Sequence, residues 1–205
     1  MNKRLKLIEE ITQRSESKDW ANAKNEWSFL YIYYSKETQK CLCTQQIHNI
    51  CVIKNKINGV ITEVGNECVN QFLGITTGDN IILSIQHLRK DKQNSLNMHA
   101  LDYLLKNNVI TTKDYDFYKN IRLKRNLSQG RLKWKLDINQ KFTNFTSYEF
   151  TKKLQKINDL IDRMENRNSN TDFIKSVKEN FILYGNLTEK QRDALNIIYK
   201  QYNTQ

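Results

Sequence analysis

Residues 41–74 read CLCTQQIHNICVIKNKINGVITEVGNECVNQFLG, and this stretch decides the fold. It holds all four cysteines of the chain, Cys41, Cys43, Cys51 and Cys68, in the spacing C-x-C-x7-C-x16-C, with His48 among them. Ile47 to Ile53 has the β-branched content of a strand. Asn58-Gly59 predicts a hairpin, because both residue types tolerate the positive φ of a type I′ turn. Val60, Ile61 and Val64 then fit the return strand. Gly65-Asn66 turns the chain into a short helix carrying Cys68, Val69 and Phe72.

Four cysteines within 28 consecutive residues point to one metal ion before a disulfide framework or scattered core thiols. A structural zinc needs four soft or borderline ligands converging tetrahedrally. Cys41 and Cys43 supply two from one turn, and Cys68 supplies one from the first turn of a helix, where the dipole favours a thiolate. Side chains alternate along a strand, so Cys51 shares a face with Ile47 and Ile53, and His48 one with Ile50 and Val52. Both cannot easily reach the same ion. Cys51 is favoured on softness, with His48 as its rival. The expectation is one closed, structural Zn2+ that cross-links a unit too small to bury a core by itself.

Outward from this stretch, residues 3–27 have helical spacing (Leu5, Ile8, Ile11, then Trp20, Ala23 and Trp27 after a start at Ser17 or Asp19), and residues 29–36 read as a strand. From about residue 77 the pattern is helical: 78–90, 95–107, 112–125, 128–142, 146–166, 171–183 and 188–202. Thr188 and Gln191 form a capping box. Residues 166–171 read as a linker. The fold class is α+β and mostly helical, a small zinc-bound β-hairpin unit followed by a helical bundle. The expected divisions are 1–76 (N-terminal helices and zinc hairpin), 77–166 (basic helical region) and 167–205 (C-terminal helical hairpin).

Composition agrees. The 205 residues include no proline and only 6 glycines, which favours helices over many tight turns, while 8 Phe, 10 Tyr and 3 Trp supply core volume. No run of about 18 apolar residues is present, and the first helix carries charges where a signal peptide would not. The expected setting is soluble and cytoplasmic, with no membrane partner.

The net charge of +11 is concentrated. Residues 119–141 carry Lys119, Arg122, Lys124, Arg125, Arg131, Lys133, Lys135 and Lys141 against Asp137 alone, a local +7. Such a patch suits a polyanion. Lys119, Arg122 and Arg125 share a helical face. In the next helix Leu132 and Leu136 are expected to pack, with Trp134 as a third candidate, and Arg131, Lys133 and Lys135 to face solvent; the alternative for Trp134 is to stack on an unpaired base. A solvated helical face is the competing reading.

The residues Cys41-Leu-Cys43, Ile53-Lys-Asn55-Lys-x-x-Gly59 and Val64-Gly65-Asn66-x-Cys68-Val69-x-x-Phe72-Leu-Gly74 resemble a motif of small uncharacterised proteins of phages, large DNA viruses and bacterial mobile elements, C-x-C-G…N-x-x-x-G…V-G-x-x-C-V-x-x-F. The resemblance continues through Tyr115-Asp-Phe-Tyr118, Lys124-Arg125-Asn126-Leu127-Ser128 and Ile138-Asn139, and spans residues 17–142. The chain departs from the motif at Thr44, where glycine is usual, and at Gln45-Gln46, where a histidine occurs. The resemblance implies a zinc site and a mobile-element origin, and no reaction.

Phosphate-loop, GxSxG and HExxH patterns are missing. His87 and His99 sit beside apolar residues in helices. Asp114 and Asp116 are conceivable magnesium ligands, though Asp114 suits the first turn of a helix. Ser128 reads as an N-cap. The first functional expectation is therefore a non-enzymatic nucleic-acid-binding protein. The second is a factor that binds a host protein and inhibits a host nucleoprotein complex, of the anti-CRISPR type. The third is a metal-dependent nuclease.

Overall fold

A computed structural model describes residues 2–73 and 77–203. Gly74 of the resembling motif lies outside the described residues. The chain forms two compact units, Met1–Lys90 and Asp91–Gln205.

The first unit is built on an antiparallel meander, β1 (Trp27–Lys40), β2 (Gln46–Asn55) and β3 (Ile61–Gly65), in the order β1-β2-β3. The expected hairpin is thus part of a three-stranded sheet. Both faces are buried, as the continuous apolar run from Ile50 to Ile53 requires. One face carries Tyr33, Ile50 and Val52, flanked by Leu30, Tyr31, Ile47 and Ile61. The alternate residues Ile32, Cys51, Ile53 and Val64 are buried on the other. The β2–β3 connection differs from a two-residue type I′ turn. It spans 56–60, only Gly59 has positive φ, and Asn55 N–H donates to the Val60 carbonyl.

Helix α1 (Lys3–Gln13) is followed by a short α2 (Trp20–Ala23) that starts at Asp19, one of the two starts the sequence offered, and a 3-10 turn carries the chain into β1, so Trp27 begins the strand and does not continue the helix. The interruption has a polar cause. Glu26 is buried, and its carboxylate accepts from the backbone N–H groups of Glu16 and Ser17 at 2.9 and 2.8 Å and from Asn55 Nδ2 at 2.6 Å. One side chain therefore ties the α1–α2 connection to the sheet. Trp27 adds a second tie, donating its indole N–H to Ser15 Oγ at 2.8 Å. On α1 the buried residues are Leu7 and Ile11, whereas Leu5 is 63% exposed. After β3 come α3 (Asn66–Leu73) and α4 (Thr77–Lys90). Helix α4 packs on α3 and β1, so it belongs with the sheet.

The second unit is helical: α5 (Met98–Lys106), α6 (Thr112–Ile121), α7 (Gln129–Phe145), α8 (Tyr148–Asn166), α9 (Asp172–Tyr184) and α10 (Glu189–Asn203). The α+β class with a small sheet followed by helices is as the sequence implies, and 61% of the chain is helical. Thr188 and Gln191 make both capping-box bonds. Phe145, Phe150 and Phe181 form an aromatic core, Phe145 edge-on to Phe150 with ring centroids 5.3 Å apart and Phe150 stacked on Phe181 at 4.4 Å. No helix among the described residues is long and apolar enough to cross a membrane.

Candidate functional site

Residues 41–45 form the turn between β1 and β2, closed by a bond from Cys41 N–H to the Gln45 carbonyl at 2.9 Å and one from Thr44 N–H to the Cys41 carbonyl at 2.8 Å. This tight turn points Cys41 and Cys43 to one place. Thr44 adopts φ 74°, the left-handed region that favours glycine. It is the position at which the resembling motif has glycine.

Helix α3 follows β3 directly and brings Cys68 against the turn. The sulfurs of Cys41, Cys43 and Cys68 all lie within 4.8 Å of one another, all three residues are buried, and the group can hold a metal ion. The Cys41 and Cys68 sulfurs are 3.6 Å apart. Gly65 N–H donates to Cys41 Sγ at 3.2 Å. A Cβ at position 65 would stand 3.0 Å from Ile47 Cγ2 and in ordinary contact, 3.9 Å, with Cys41 Sγ, so a side chain here would press on Ile47.

Without metal, the Cys68 S–H shared with Cys41 lowers the Cys41 thiol to about 5, with help from Gly65 N–H and against the opposing effect of burial. The same shared hydrogen bond pushes Cys68 up, as does burial. One thiolate therefore forms easily, and further ionisation needs a cation to offset its charge.

Cys51 and His48 are not brought to this centre. Cys51 pairs with Ile32 and Val64 in the sheet and packs toward Gly78 of α4, whose Cβ position would lie 3.9 Å from its sulfur. Burial pushes its thiol up, reinforced by Asp79. It is a core thiol. His48 is exposed, with its Nδ1 3.0 Å from the Ser35 carbonyl, its Nε2 3.4 Å from Thr38 Oγ1 and its ring stacked on Tyr34. The expected four-ligand set thus reduces to three cysteines. Beside Cys43 and Cys68 opens a cleft of about 670 Å³, lined also by Asn2, Lys3, Arg4, Gln45, Glu67 and Gln71. The spacing of the cysteines contained no signal for it.

In the second unit, α6 ends at Ile121, so Lys124 and Arg125 lie in a loop and not on a helix face. Lys119, Lys124, Arg125, Arg131 and Lys133 are exposed and Arg122 is half-buried. None of these six forms an ion pair among the described residues. Leu123 stands in the same loop and is 80% exposed.

Lys135 corrects the expectation of a solvent-facing cation. It is 6% exposed and donates to the Gln93 carbonyl at 2.7 Å, and burial lowers its pKa. The inner face of α7 is Lys135, Ile138, Asn139, Phe142 and Phe145, with Leu132 and Leu136 only half-buried. Trp134 is likewise held in the fold. Phe117 stacks on it at 3.8 Å and 8°, and its indole N–H donates to Asp114 Oδ1 at 2.8 Å. Lys141 lies 3.9 Å from Asp114. Asp114 also closes a capping box with Thr111. Burial opposes its charge, but these bonds outweigh that and hold the carboxyl below its ordinary range. Ser128 is the N-cap of α7 by backbone conformation, without a side-chain capping bond.

No protein-family model, no curated protein and no solved structure matches the chain.

Proposed function

We propose that this chain is a non-enzymatic nucleic-acid-binding protein whose sheet-bearing unit is stabilised by one zinc ion. The metal part rests on the three thiols. Tetrahedral zinc with bonds of about 2.3 Å has sulfur–sulfur edges of about 3.8 Å, close to the 3.6 Å between Cys41 and Cys68. A set of soft thiolates selects zinc over magnesium or calcium.

The observation that carries the nucleic-acid reading is the group of unpaired, exposed cations Lys119, Lys124, Arg125, Arg131 and Lys133 around the loop between α6 and α7. Neutralising phosphates with such a group releases counterions and makes affinity fall with salt. The test is titration of heterologous single- and double-stranded RNA and DNA by fluorescence anisotropy over a range of salt. Each phosphate contact contributes about −0.9 to the slope of log K against log salt on duplex DNA, so Arg125→Ala/Arg131→Ala/Lys133→Ala is expected to flatten it by about 2 to 3. Lys135→Met is expected to leave it unchanged. A salt slope that the triple variant does not alter removes the reading.

Leu123 favours a second reading, because an apolar side chain exposed in the middle of a cationic loop suits a protein or nucleoprotein surface. In that case the chain is a mobile-element factor that blocks a host nucleoprotein complex. A nuclease-resistant, stoichiometric host complex recovered by pull-down and lost in Leu123→Asp supports it over direct nucleic-acid binding.

A further inference from the structure

The zinc reading gives the ion three protein ligands, and tetrahedral coordination requires a fourth. We infer that the fourth position opens into the cleft beside Cys43 and Cys68 and takes an anionic thiolate from outside the chain. This rests on the metal centre proposed above and goes beyond it, because it makes the centre a ligand-binding site and not a closed structural one.

The direction of the opening follows from what encloses each sulfur. Cys41 is buried, with its sulfur against Gly65 N–H and the Cys68 sulfur, and does not line the cleft, whereas Cys43 and Cys68 do. Cys51 and His48 are committed elsewhere, to the α4-facing side of the sheet and to Ser35. Among the other lining residues only Glu67 carries a side chain of common zinc-ligand type, and its carboxylate lies outside the group of mutually close ligand atoms. Zinc with three open-position ligands binds water or an exogenous donor in the fourth.

The chemistry of the cleft selects the donor. Zinc bound by three thiolates carries a single negative charge and retains an affinity for sulfur. Lys3 and Arg4 line the cleft and provide two positive charges against that of Glu67. A small thiol bearing its own anionic group satisfies both features: its sulfur completes the tetrahedron, and its second charge meets Lys3 and Arg4. Binding exchanges a coordinated water for the thiolate and releases the thiol proton to solvent.

Cobalt(II) tests this, because its visible bands report the ligand set. The full chain is loaded with cobalt under a phosphine reductant and titrated with 2-mercaptoethanesulfonate or with neutral 2-mercaptoethanol. The expected result is a shift of the bands to longer wavelength with cobalt still bound at one per chain. The anionic thiol should bind at least tenfold more tightly, and Lys3→Ala/Arg4→Ala should abolish that preference. Unmoved bands, or a spectrum already altered by Glu67→Gln or Cys51→Ala before thiol is added, overturn the open position. Equal affinity for the two thiols overturns the choice of an anionic ligand. Failure of the chain to bind cobalt at all overturns the metal centre itself, which is a separate outcome.

Discussion

The sulfur of Cys68, in the first turn of α3, lies 3.6 Å from that of Cys41, in the turn that ends β1, across 27 residues of sequence. The intervening β2–β3 hairpin makes this meeting possible, since two antiparallel reversals bring the end of β3 back to the end of the sheet at which β1 finishes. A metal ion held here would link the turn between β1 and β2 to the start of α3.

The first prediction separates ligands from bystanders. Cys43→Ser is expected to lose stoichiometric metal and to lower the thermal midpoint by about 10 °C, for a loss on the order of 3 kcal/mol. Cys51→Ala is expected to cost about 1 to 2 kcal/mol through the cavity it leaves in the sheet core, with metal content unchanged. Thermal denaturation and metal analysis of both variants check this.

The second concerns Thr44. A β-branched residue at φ 74° is strained. Thr44→Gly should therefore stabilise the protein by about 1 kcal/mol, the strain relieved exceeding the entropy that glycine adds to the unfolded chain. Denaturant unfolding measures it, and a destabilised Thr44→Gly would show that the threonine makes an interaction outweighing its backbone strain.

The third concerns a buried polar knot. Tyr118 donates its hydroxyl proton to Asn139 Oδ1 and accepts from Leu96 N–H at 2.9 Å. Asn139 Nδ2 donates to the carbonyls of Lys92 and Asn94 at 2.8 and 2.9 Å. Burial, only partly offset by these bonds, raises the Tyr118 hydroxyl to about 12. Asn139→Ala strands two carbonyls and a phenol at once, so it is expected to cost about 3 kcal/mol by denaturant unfolding.

The fourth is a pH effect at Glu26. Its bond from Asn55, together with those from Ser17 and Glu16, holds its pKa below the ordinary carboxylate range, against burial. A carboxyl whose folded pKa is depressed contributes stability that is fully present above its unfolded pKa and is lost as pH falls through the folded one. Glu26→Gln should be less stable than the parent at pH 7, and the difference should shrink as the pH is lowered below about 4.5. Unfolding midpoints from pH 7 to pH 3 give the answer, and a pH-independent difference would show that the charge of Glu26 contributes nothing.

The sequence carried the fold class because its signals were local. Ile47 to Ile53 read as a strand, Gly65-Asn66 as a turn into a helix, and Thr188 with Gln191 as a helix start, and each is found so. The three-cysteine cluster was legible for the same reason, as the C-x-C turn and the start of α3 are single local features.

The fourth ligand was not legible. Strand parity could separate Cys51 from His48, but which face meets the cysteine turn depends on the irregular β1–β2 register between Tyr34 and Gln39, and no local pattern encodes that. The inner face of α7 was hidden differently. Lys135 and Asn139 are polar yet buried, because they serve the carbonyls of residues 92–94, and a rule that puts apolar residues inward selects Leu132 and Leu136 instead. Buried polar residues follow their hydrogen-bond partners, and those partners lie about forty residues away in sequence.

Metal analysis of the folded protein, purified under reducing conditions without chelator, bears most directly on the central claim. About one zinc per chain is expected, falling to a trace in Cys41→Ser/Cys43→Ser/Cys68→Ser, since thiolate sites of this kind bind tightly. A cooperatively folded wild-type chain with less than about half an equivalent of zinc would contradict the account.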